Sequence, residues 1–314
     1  MRDGIALTGL EGTNPLGFLA ALGVQVLFDC EEHQPRLWWT DDIVPNAVVA
    51  PEFDVDHIVE QALQVFPRWI ESPALAPGFG AKSDDDAKFS PGNLRKYLEK
   101  TRSYQPGNRL ASALVADRSL DGKGKVAKPT DLYFTAGQLK FLKIARDVLA
   151  GVERDEIVEG LLGPWSYSST LSSLGWDTTD DRIYALAATN PATDKKLTNP
   201  GAEALAILGL SRHPVFAGQD RRGRDRTFTQ GCAGPWRRGG TYTWPIWTRP
   251  ATPNAVLSLL AHATGRDEEI RLRSKWYRGW GLSQVMRSAI RRSDQGGYGT
   301  FGPPVIAWSA FGGS

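Results

Sequence analysis

The sequence predicts an α+β fold, with several helices packed on small mixed or antiparallel sheets. Three observations point there. Strand-like and helical segments are interspersed without regular βαβ alternation. Helix starts of the Asn-Pro or Thr-Pro kind recur at Asn14-Pro15, Asn199-Pro200 and Thr252-Pro253. GxxxxGK[ST] does not occur, and the one GxGxxG, at 297 to 302, is followed by Pro303 and Pro304 and opens no helix, so no Rossmann or P-loop core is expected. The chain has 314 residues, 41% of them apolar, which is enough to bury a substantial core. No internal repeat of fixed period is present. A boundary is expected near 120 to 130, separating an acidic-to-mixed part, 1 to 120, from a basic part, 130 to 314.

Residues 5 to 8 read as a short strand. Asn14 then offers a capping side chain and Pro15 a pre-set φ, so a helix is expected over 15 to 28. Leu16, Leu19, Ala20, Val24 and Leu27 fall at helical spacing, and Phe18, Leu22 and Val26 make the remaining side apolar as well, which predicts a helix enclosed by other elements. RLWWT at 36 to 40 suits a strand, and Ile58, Ala62, Val65, Phe66 and Trp69 suit an amphipathic helix. Residues 72 to 91 are rich in Pro, Gly, Ser and Asp and read as a loop. Two short helices are expected over 92 to 130, followed by DGKGKVAKP, the most linker-like stretch.

DLYF at 131 to 134 reads as a strand. Thr135 and Gln138 have capping-box spacing and open a helix to about Ala150. A further helix is expected at about 153 to 162, a strand at RIYALAA, and a helix over 199 to 210. TYTWPIW at 241 to 247 alternates like a strand, which Pro245 would confine to a sheet edge. A helix follows Thr252. RLRSK is read as extended, so that Arg271, Arg273 and Lys275 share one face, and 282 to 292 as a helix carrying Arg287 and Arg291 on its outer side, with Arg292 nearby.

The overall charge of +2 hides a strong asymmetry. Residues 1 to 75 hold twelve acids against three bases, residues 76 to 150 fourteen bases against eight acids, and residues 211 to 292 sixteen bases against five acids. The last balance, +11, points to a polyanionic partner. The bases are mostly Arg, whose planar fork matches phosphate oxygens and stacks on bases. They cluster as Arg221, Arg222, Arg224 and Arg226, as Arg237 and Arg238, as Arg271, Arg273, Lys275 and Arg278, and as Arg287, Arg291 and Arg292. Interleaved with Trp276, Tyr277 and Trp280, these are the ingredients of a nucleic-acid groove, and Lys123, Lys125 and Lys128 offer a second clamp.

Signals of catalysis are sparse. His33, His57, His213 and His262 are scattered, none in a ligand spacing, and read as structural or surface residues. Asp84, Asp85 and Asp86, or Asp180 with Asp181, could ligate a hard cation, but a solvated acidic loop and a turn are the simpler readings. Gly9 and Gly12 read as a tight turn rather than an anion cradle. GxSxG is missing. Cys30 and Cys232 match no CxxC pattern, so neither a disulfide framework nor a thiolate metal site is indicated. The N-terminus lacks a secretion-signal core and no stretch is apolar enough to span a bilayer, so a soluble, cytoplasmic protein is expected, with no membrane partner.

LTGLEGTNPLGFLAALGVQVL, followed by PRLWWTDD, resembles the N-terminus of the type I-G (formerly I-U) CRISPR-associated large-subunit-like proteins. LYFTAGQLKFLKIARDVL, GPWSYSS with SLGWDTTDDRIYAL, NPGAEALAILGL and TYTWPIWT echo the same family in the same order. The resemblance implies a subunit of an RNA-guided DNA-targeting complex, or an accessory working beside its helicase-nuclease. Target DNA, guide RNA and other effector subunits would be its partners, and reading the short motif beside the target one of its tasks. No catalytic motif carries over to numbered residues.

Together these readings predict a non-enzymatic nucleic-acid-binding subunit, with no cofactor or metal, whose basic residues in the final third form one continuous track and whose Arg221 to Arg226 loop reads base edges. The alternatives are a metal-dependent nuclease using Asp180 and Asp181, or such an accessory, and a carbohydrate-binding module using some of the eleven Trp.

Overall fold

Asn14 does what its position predicts: its Oδ1 accepts from the Leu16 amide at 3.0 Å and Pro15 opens the first helix. The computed structural model describes residues 4 to 311 except 81–82, 106, 122, 179–197, 220–222, 224, 235–238 and 293–297. The fold is α+β. Strand β1 (Ile5–Glu11) leads into helix α1 (Pro15–Val26), whose residues are all buried, as the all-round apolar pattern requires. Strands β2 (Leu37–Trp39) and β3 (Asn46–Val49) pair antiparallel, and β3 also pairs with β1, giving the order β1-β3-β2. Gly12 donates its amide to the Pro45 carbonyl at 2.7 Å, fixing the turn before α1. Helices α2 (Val55–Glu71), α3 (Pro91–Arg102), α4 (Asn108–Leu114), α5 (Phe141–Gly151) and α6 (Arg154–Leu162) follow.

The second Asn-Pro helix, α7 (Pro200–Gly209), is capped by Asn199 Oδ1 accepting from Ala202 N at 2.8 Å. It lies directly on α1. A β-carbon on Gly23 would land on the Leu205 carbonyl and one on Gly209 on the Leu19 carbonyl, so both backbones touch where both lack side chains. Strands β4 (Val215–Gln219) and β5 (Asp225–Thr229) form a hairpin. Strands β6 (Cys232–Ala233), β7 (Gly240–Trp247), β8 (Leu282–Arg292) and β10 (Val305–Ser309) build an antiparallel sheet in the order β10-β8-β7-β6, and β9 (Gly299–Phe301) also pairs with β8. Helices α8 (Pro253–His262) and α9 (Asp267–Tyr277) lie between β7 and β8 in the chain.

The apolar core draws on residues from Leu7 to Phe301, so both sides of the expected 120–130 boundary contribute to it. Phe18 of α1 stacks on Trp39 and meets Trp244 and Trp247 of β7. Trp247 Nε1 donates to the Leu37 carbonyl and Trp244 Nε1 to the Gly12 carbonyl, both at 2.7 Å. Among the described residues no helix is long and apolar enough to cross a membrane.

Five local expectations are corrected. Residues 267 to 277 form a helix, not an extended segment: Ile270 and Tyr277 are its buried residues, and the Glu269 carboxylate accepts the amide of the N-cap Arg266 at 3.1 Å. Residues 282 to 292 form a strand, because Met286 and Ile290 suit the pleat of a sheet as well as a helical face, and β7 supplies the ladder. Residues 131 to 134 are irregular, and the helix after them starts at Phe141 rather than at the Thr135–Gln138 box, which Gly137 interrupts at φ +59. Pro245 lies in a strand paired on both sides, yet β6 reaches only Thr241 and Tyr242, so Pro245 faces no ladder on that flank among the described residues. The linker-like 121 to 128 is a pinned turn: Asp121 Oδ1 accepts from Lys125 N at 2.8 Å and Val126 N at 3.3 Å, which holds its carboxyl below the usual range. The RIYALAA strand lies outside the described residues.

Candidate nucleic-acid interface

The backbone carbonyls of Asp131 and Tyr133 decide where the basic residues gather. Freed from any strand, they accept from Arg292 Nη2 at 2.7 Å and Nη1 at 3.0 Å. The guanidinium also lies over the Phe134 ring, 5.5 Å from its centroid. Burial draws the Arg292 pKa down to about 10, against the attraction of Asp131. Asp131 N donates to Thr229 Oγ1 at 2.7 Å, which ties this stretch to β5 and so brings up Arg226.

Around Arg292 four more cations converge from separate parts of the chain. Lys88 lies over the Tyr133 ring at 4.7 Å, and the Tyr133 hydroxyl donates to Asp86 at 2.8 Å. Lys140 pairs with Asp86 at 3.7 Å and Lys128 with Asp131 at 3.8 Å. Desolvation lowers the pKa of Lys88, Asp86 opposes the change, and Lys140 and Arg292 add to it. Desolvation likewise lowers that of Lys128, with Asp131 opposing and Arg226 and Arg292 adding. Five cations, Lys140, Lys88, Arg292, Lys128 and Arg226, thus stand as neighbours with Asp86 and Asp131 among them. Burial raises the Asp131 pKa, against the attraction of Lys128 and Arg292. Beside Arg292 a shallow, open depression is lined by Asp131, Ala233, Gly234, Gly239, Gly240 and Ile290. Gly239, at φ +81, has no room for a side chain against the Ile290 carbonyl.

Among the described residues the expected track is not continuous. Arg226, Arg292 and Lys128 reach the cleft, whereas Arg271 and Lys275 lie four apart on the exposed side of α9. Arg273 turns back to the His262 and Thr264 carbonyls, at 3.3 and 3.5 Å, and Arg278 to the Ala310 carbonyl at 2.6 Å. Arg287 forms an ion pair with Asp267. Arg291 is exposed beside Gly302, and Lys123 and Lys125 are exposed on the Asp121 turn. The start of α9 is tied through Asp267 to Arg287 in the middle of β8, five residues and roughly 17 Å along the strand from Arg292. Arg221, Arg222, Arg224, Arg237, Arg238, Asp180 and Asp181 lie outside the described residues.

Lys88 and Lys140 are the members that pattern reading passed over; their only signal was the basic balance of residues 76 to 150. Asp84, Asp85 and Asp86 are neither a cation site nor a solvated loop. Asp84 accepts the Phe79 and Gly80 amides, Asp85 pairs with Arg146 at 2.7 Å, and Asp86 belongs to the cleft. Among the described residues no group of three or more His, Cys, Asp or Glu is placed to hold a metal ion. His213 is fully buried with Nε2 2.9 Å from the Tyr242 hydroxyl, and His57 stacks on Phe53.

No model of a known protein family matches this sequence, and no curated protein matches it.

Proposed function

We propose that the chain is a non-catalytic nucleic-acid-binding subunit whose cleft grips the phosphate backbone through Lys88, Lys128, Lys140, Arg226 and Arg292. One observation supports the reading: five cations from distant segments gather around Tyr133 and Asp131, three of them, Lys88, Lys128 and Arg292, at a cost in solvation. Such an arrangement is relieved by a partner that brings a regular line of negative charge. Aromatic rings under Lys88 and Arg292 keep the two heads oriented rather than free to follow counter-ions.

The resemblance of the N-terminal segments supplies the setting: a type I CRISPR effector, in which guide RNA pairing reads sequence and this subunit holds target DNA, contacts other subunits and works beside the helicase-nuclease. Phosphate contact by itself reads no sequence, so the cleft fixes register and leaves recognition to base pairing or to an adjacent-motif reader.

The test is binding of purified chain to fluorescent duplexes of unrelated sequence across a salt series. Affinity should fall with log salt at a slope near 0.9 per phosphate held, about 4 to 5 for all five cations. Lys88→Glu with Arg226→Glu should weaken every duplex about tenfold or more and lower that slope by about 2. Unchanged affinity in the double variant, with its fold verified, would refute the assignment.

A further inference from the structure

The exposed side of α9 is built as two parallel rows. At 100° per residue, Arg271, Lys275 and Arg278 form one row, and Leu272 and Trp276 form the next. Leu272 is 71% exposed and Trp276 54% exposed, a large apolar area for a helix whose buried residues are only Ile270 and Tyr277. Lys275 Nζ lies 4.9 Å from the Trp276 ring centroid, so the two rows meet there. Neither Arg271 nor Lys275 has an ion pair among the described residues. Of the acids at the start of α9, Asp267 is taken by Arg287 and Glu269 by the Arg266 amide, leaving Glu268 one turn away.

The opposite chemistry stands elsewhere on the same chain. Between β2 and β3, Asp41, Asp42, Ile43 and Val44 are all exposed, Ile43 at 94% and Val44 at 43%. Ile43 is an aliphatic knob at the tip of a turn, with two carboxylates immediately before it that have no ion pair among the described residues. On α9 the two rows lie roughly 8 Å apart across a side-chain envelope of 10–12 Å. Asp41 and Ile43 lie two residues apart in a bent turn, within about 7 Å of each other at most. The match is in sign and in hydrophobicity. It also repeats on a small scale the asymmetry of the whole chain, acidic over residues 1 to 75 and basic over 211 to 292.

We infer that α9 of one copy receives the Asp41–Val44 turn of a second copy, with Ile43 seated on Leu272 and Trp276 and the two aspartates facing Arg271 and Lys275. The two surfaces differ, so the contact is head-to-tail: it leaves one turn and one α9 unfilled at the ends and builds chains or rings rather than a two-fold dimer. A patch this small gives a weak contact, formed at high local concentration.

Sedimentation over about 10 to 500 µM protein tests it, a range suited to weak contacts. The wild-type average mass should climb past the dimer with concentration and fall back in high salt, where the ion pairs are screened. Ile43→Asp and Leu272→Asp should each be monomeric throughout. Mixed in equal amounts, they should form a 1:1 dimer and nothing larger, because one intact turn still meets one intact α9. That complementation also shows that both variants are folded. A wild-type chain monomeric over the whole range, association that survives either variant, or a mixture that stays monomeric would each overturn the inference; in the first case, α9 faces a different protein. None of these outcomes depends on whether the cleft binds nucleic acid.

Discussion

Arg292 and Asp131 stand 161 residues apart in sequence, yet the guanidinium of the first donates to the backbone carbonyl of the second at 2.7 Å. This bond joins the end of β8 to the irregular stretch before α5, and so joins the two basic zones of the chain. Replacing Arg292 by Lys keeps the charge but loses the planar fork that serves two carbonyls and lies flat on Phe134. The expected cost is about 1–3 kcal/mol in denaturant unfolding, since a buried carbonyl is left unpaired. The salt slope of DNA binding should stay close to that of the wild type.

A polyanion should stabilise the fold, because it relieves the repulsion among the five cations. Heparin or duplex DNA at about 100 times its Kd adds about 2.7 kcal/mol and should raise the Tm by about 5 °C at low salt. Thermal melting of Lys88→Glu with Arg226→Glu should show most of that shift gone, while unliganded Tm stays level or rises.

Acid should unfold the chain through His213. Burial lowers its pKa from 6.5 to about 4, so the folded state resists a proton that the unfolded state accepts. Its neutral form is matched in both states above the unfolded value; stability is lost as pH falls from about 6.5 toward 4, by roughly 3 kcal/mol. Urea midpoints measured across that range check it, and His213→Gln should flatten the decline.

The crossing of α1 and α7 tolerates no side chain at Gly23. Alanine there would push its β-carbon into the Leu205 carbonyl and force the helices apart, at about 1–3 kcal/mol or more. Gly92, in the first turn of α3, has open space around it, and alanine there should change stability by less than about 0.5 kcal/mol. The contrast in unfolding midpoints between the two variants is the measurement.

Where local chemistry decides, the sequence is a good guide. Asn14, Asn199 and Thr252 cap the helices they announce, and the all-round apolar pattern of 15 to 26 is that of a helix enclosed on every side. It is a poor guide where a partner decides. Met286 and Ile290 fit a helix or a strand alone, and only the ladder offered by β7 selects the strand. DLYF looks like a strand until Arg292 takes its carbonyls. The cleft was half visible: Arg226, Arg292 and Lys128 stood in basic clusters, but Lys88 and Lys140 are isolated in sequence, and only the packing of 86 to 88 and 140 beside Tyr133 brings them in. Among the described residues the expected basic track is interrupted where backbone carbonyls and Asp267 claim Arg273, Arg278 and Arg287 individually.

The Asp267–Arg287 ion pair has an electrostatic consequence. It ties the start of α9 to the middle of β8, five residues and roughly 17 Å along the strand from Arg292, which is about two Debye lengths at physiological ionic strength. The charges of α9 and those beside Tyr133 are therefore partly screened from one another, and each group feels the other more strongly at low salt than at high.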